Sequence, residues 1–86
     1  PKVNFDQIER ELKDVYKLLN GEEVEDKTTP EEELKKMAAK HGGRNVLQVY
    51  FKSFYDGRTE AVKKRLFIPS LLVESGSATN EDLSDL

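Results

Sequence analysis

NVLQVYFKSFYDG, residues 45–57, is the stretch on which the fold class turns. Its Val, Tyr and Phe content suits a β-strand, and Asp56-Gly57 is a dipeptide that closes tight hairpins. The large apolar residues nevertheless recur at helical intervals: Leu47, Tyr50, Phe51 and Phe54 stand three and four positions apart and share one helical face. Asn45 with Gln48 has the form of a capping box. The residues after Gly57, RTEAVKKRLF, lack strand alternation and begin with a capping Thr59. The spacing therefore predicts a helix over 45–56 and another over 60–67, stopped by Pro69. An α+β fold with a hairpin around Asp56-Gly57 is the alternative.

The flanking segments favour the helical reading. In VNFDQIERELKDVYKLLNG (3–21), Phe5, Ile8, Leu12, Val15 and Leu19 make a stripe at intervals of three and four, the mark of a helix with one buried face. Asn4 is placed to cap it, Gln7 to complete the box, Val3 to staple against Ile8, and Gly21 to end it, so a helix over 5–20 is expected. The spacing also admits a homodimer, although barely more than two heptads are present. GEEVEDKTTP (21–30) reads as a solvated acidic linker without the ligand spacing of a calcium loop. Thr29 then caps a helix over 30–41 that has Pro30 at its first position and Glu31, Glu32 and Glu33 in its first turn; Gly42-Gly43 follows it. The expected architecture is all-α, a small bundle of about four helices (5–20, 30–41, 45–56, 60–67). One domain covers 1–75, with SLLVES (70–75) as a short apolar turn closing the core. Residues 76–86, GSATNEDLSDL, form a disordered acidic C-terminal tail.

Eighty-six residues, 36% hydrophobic and 36% charged, suffice for one small core. Without cysteine there is neither a disulfide nor a thiolate metal site, in keeping with a cytoplasmic protein. The longest apolar run, LFIPSLLV (66–73), is too short to span a bilayer, and PKVNFDQ lacks an export signal. No membrane partner is expected. The net charge of −3 conceals a segregation. Residues 1–34 carry five basic against eleven acidic side chains, residues 35–65 nine against two, and residues 66–86 none against four. A basic island of this kind attracts phosphate or an acidic protein surface.

Enzymatic signals are weak. His41 is the only histidine, which leaves a His-based metal site without a second imidazole and a Ser-His-acid triad without support. It reads as a helix-end histidine, either satisfied or solvent-facing. Gly42-Gly43 precedes Arg44-Asn45 rather than the Lys-Ser/Thr of a phosphate loop. No cofactor, metal or catalytic residue is assigned, and the expectation is a non-enzymatic regulatory or accessory protein.

Residues 35–54, KKMAAKHGGRNVLQVYFKSF, resemble the DNA-binding helix-turn-helix at Ala39, Gly43 and Val49, which fall at its small, turn and buried positions. Gly42, Arg44 and Lys52 depart from it, standing where apolar residues are usual. The resemblance implies nucleic-acid binding through the basic segment, with Lys35, Lys36, Lys40, Arg44, Lys52, Lys63, Lys64 and Arg65 as the phosphate-contacting set. The alternative is a protein-interaction adaptor or inhibitor that uses Tyr50, Phe54 and Tyr55 or the 5–19 stripe. KKRLFIP (63–69) also resembles basic-x-Leu-Phe docking peptides at Lys64, Leu66 and Phe67. That use requires Leu66 and Phe67 to be exposed, whereas the bundle reading makes them core.

Overall fold

Asn4 opens the first helix as its side chain suggests: its Oδ1 accepts the Gln7 amide hydrogen at 3.1 Å, and α1 follows over Phe5–Leu19. The computed structural model describes residues 2–24, 29–55 and 62–84, the side chains of 62–66, 83 and 84 excepted. At the second helix the Thr29 hydroxyl accepts the Glu32 amide hydrogen at 3.2 Å, Pro30 takes the first helical position, and α2 runs Pro30–His41. Three glutamates in its first turn face the positive end of the helix dipole. The linker residues 25–28 lie outside the described residues.

Residues 46–55 contain no strand. Helix α3 spans Gly43–Val49 and passes without a break into a π-helical turn, Tyr50–Phe54, closed by a hydrogen bond from the Tyr55 amide to the Tyr50 carbonyl at 2.8 Å. The β-forming side chains are accommodated by aromatic packing. Phe54 stacks on Tyr16 of α1 with ring centroids 5.1 Å apart, while Phe51 meets Tyr50 edge-on and tilts against Tyr55. Asp56-Gly57 lies outside the described residues.

The start of this helix differs from the capping box expected at Asn45. Gly42 alone joins α2 to α3, so Asn45 falls inside the first turn and turns back, its Nδ2 donating to the His41 carbonyl at 2.7 Å. The side chain thus satisfies an orphan carbonyl at the end of α2 instead of an amide at the start of α3.

Proline does not stop the fourth helix. α4 covers Val62–Glu74 with Pro69 in its interior. A mid-helix proline costs about 3 kcal/mol. Ile68 and Leu72 beside it are almost completely buried, and each such side chain contributes about 1.5–3 kcal/mol, enough to offset that cost. The apolar turn expected over 70–75 is the continuation of this helix. It ends in a Schellman motif: Gly76, with φ of 80°, lets the Ser77 amide reach the Leu72 carbonyl at 2.9 Å and its own amide reach that of Val73 at 3.1 Å.

Part of the segment after residue 75 packs against the bundle. Ala78 is buried, and a short α5, Asn80–Ser84, carries a reciprocal cap in which the Asp82 amide donates to the Thr79 hydroxyl and the Thr79 amide to Asp82 Oδ2. Helical structure therefore continues past residue 75; residues 85 and 86 lie outside the described residues.

The core combines Ile8, Leu12 and Val15 of α1, Leu34, Met37 and Ala38 of α2, and Val46, Leu47, Val49 and Tyr50 of α3 and its π turn with Ile68, Leu72 and Ala78. Leu19 is partly buried, but Phe5 departs from the expected stripe and stays 45% exposed. No described helix is long and apolar enough to cross a membrane.

Candidate functional site

Where the basic side chains point decides what the island can hold. Lys35 and Lys36 are exposed on α2 and make no ion pair among the described residues. Lys40 lies 3.8 Å from Glu11, and Arg44 Nη1 donates to Asp82 Oδ1 at 2.9 Å. Lys52 is exposed on the π turn, in a concavity that also includes Asp6 and Glu9. The side chains of Lys63, Lys64 and Arg65, and that of Leu66 from the docking-peptide resemblance, lie outside the described ones; Phe67 is partly buried against the core. Carboxylates of the same chain thus answer two of the five described basic side chains, Lys40 and Arg44, and surface pairs of this sort contribute little to stability.

The positions matched to a helix-turn-helix do not act together. Gly43 and Val49 are buried, but Ala39 is exposed and Ala38 takes the place facing the core. A recognition helix presents its first residues to the bases. Here the first turn of α3 is partly covered: the Ser77 carbonyl lies against Gly43, and Asp82 holds Arg44, which stays half exposed. Hydrogen bonding from Thr79 and Arg44 holds the Asp82 carboxyl below the ordinary aspartate value.

His41 is the satisfied kind of helix-end histidine. Its side chain is 6% exposed, with Nε2 3.0 Å from Glu11 Oε2, and Glu11 also accepts from Gln7 Nε2 at 3.3 Å. This cluster ties α1 to α2.

Of the aromatic residues expected to meet a partner, Tyr50 is fully buried and Phe54 is covered by Tyr16, so neither forms an open surface. Both are spent on holding the π turn to α1. The Tyr16 phenol is pushed above its ordinary value by burial, a shift opposed by its hydrogen bond with Tyr50. Tyr55 alone of the three stays open, at 44% exposure.

The open apolar surface lies at the start of α1. Phe5, Asp6 and Glu9 form one wall of a concavity of about 240 Å³ whose other wall is Gln48, Val49, Lys52 and Ser53, at the junction of α3 with the π turn. A shallower depression lined by Lys2, Val3, Asn4, Phe5 and Asp6 continues it. The sequence pattern puts Phe5 in the core and Gln48 in a cap, and does not single out Asp6 or Glu9. The signal available is Phe5's position as the first helical residue, where a stripe outruns its neighbours, with two acids within the next turn. No protein-family model, curated protein or solved structure matches this chain.

Proposed function

We propose that this chain is a non-enzymatic protein-interaction module that receives a partner on the face formed by the start of α1 and the π turn. The carrying observation is the concavity flanked by exposed Val3 and Phe5, two of the few large apolar side chains left open on the described surface. Apolar residues grouped at a hollow are the usual form of a partner site. Support also comes from the pairing of Lys40 with Glu11 and Arg44 with Asp82, which weakens the case for a phosphate-binding face. Nucleic-acid binding is the second reading, favoured by exposed Lys35 and Lys36 on one helix.

The two are separated by titrating labelled duplex and single-stranded oligonucleotides with the full chain at two salt concentrations. The interaction reading expects no saturable binding even at low salt. Binding that weakens with log-log slope of about 0.7–0.9 per phosphate contact, and that Lys35→Ala with Lys36→Ala reduces, would establish the second reading instead.

A further inference from the structure

The concavity, about 240 Å³, opens into the shallower depression along Lys2, Val3 and Asn4, and together they have the outline of a hollow for one side chain with a shelf for the backbone beside it. Its apolar contacts come from Phe5 and Val49, on opposite walls. Asp6 and Glu9, three residues apart and so on one helical face, border Phe5, and neither has an ion-pair partner among the described residues. Lys52, Gln48 and Ser53 stand across from them. The charge is therefore divided: the α1 wall is anionic and the π-turn wall carries the ammonium.

Resting on the interaction reading, we infer that this concavity takes a peptide segment of a protein partner that presents one large apolar side chain next to a lysine or arginine. The apolar group enters between Phe5 and Val49, and the cation lies over Asp6 and Glu9. Lys52 repels the same cation from the opposite wall, so the charge sets the direction in which the segment lies. A neutral segment forgoes the contact with Asp6 and Glu9, and an acidic one meets like charge there, which selects against both.

The test uses the full chain, immobilised and challenged with a phage-displayed library of short random peptides; enriched peptides are then synthesised and titrated by fluorescence anisotropy. The expected result is a shared pattern of a large apolar residue with Lys or Arg within one helical turn of it. Phe5→Ser should weaken binding roughly tenfold or more. The double variant Asp6→Asn, Glu9→Gln should weaken it several-fold and remove most of its salt dependence. Phe5→Ser is expected to fold, since Phe5 is 45% exposed, and retained helical circular dichroism with cooperative unfolding checks this. Enriched peptides that lack a basic residue, or that bind the Phe5→Ser and double variants as well as the parent, overturn the inference and leave the interaction reading standing. A library that yields no binder also overturns it; that result together with salt-dependent oligonucleotide binding removes the interaction reading too.

Discussion

Gly43 stands where the fold leaves no room for a side chain. A methyl group there would collide with the Ser77 carbonyl, backbone held in place by the Schellman turn at Gly76. Gly43→Ala should therefore destabilise by about 1–3 kcal/mol through overpacking, despite alanine's better helix propensity, and a lowered urea midpoint would register it. Asp82 acts on the same junction through charge. Its folded pKa lies below the ordinary 3.8, so what the ionised carboxylate contributes is fully present above that value and is lost as the pH falls through the lower one. The Thr79 amide resonance should accordingly shift with a midpoint below 3.8 and stop titrating in Asp82→Asn. A midpoint at or above the ordinary value would mean that the Arg44 and Thr79 contacts do not hold in solution.

Helix α1 carries one apolar stripe with two different fates along its length. Leu12 is fully buried in the core, so Leu12→Ala should cost about 2–5 kcal/mol. Phe5→Ala should cost only about 1–1.5 kcal/mol, because nearly half of its surface is already in water. Equal effects in denaturant titrations would refute this division. The same contrast separates what is legible in the amino-acid sequence from what is not. Caps at Asn4 and Thr29 follow from interactions within four residues, and the sequence pattern locates them correctly. The helical character of 46–55 is likewise visible in its spacing. Pro69 and Asn45 mislead a local reading because distant packing or a neighbouring helix end decides them: the core around Ile68 and Leu72 in one case, the His41 carbonyl in the other. Phe5 belongs with these, since its periodicity matches that of Leu12 and only the position of α3 separates them. The groove is for that reason hidden in the sequence, while the basic residues, conspicuous in the chain, are partly answered by Glu11 and Asp82.

At the level of the assembled chain, the C-terminal segment closes the structure although its composition is that of a tail. It turns back from α4 at Gly76, seals the start of α3 with Ser77, adds Ala78 to the core and returns a carboxylate to Arg44. Asp82, an acidic residue that could compete with nucleic acid for a basic surface, is thus also part of the structure around α3. Truncation after Ser75 should lower stability by on the order of 2 kcal/mol, since it uncovers buried apolar surface and breaks the Ser77 and Ala78 bonds to Leu72. Chemical denaturation monitored by circular dichroism measures this directly, and the loss should persist in high salt because packing rather than the Arg44–Asp82 pair carries it. A truncated chain as stable as the full one would show that residues 76–84 do not pack in solution. A loss that salt abolishes would transfer their role from packing to charge, and make this segment an electrostatic cover for the basic island.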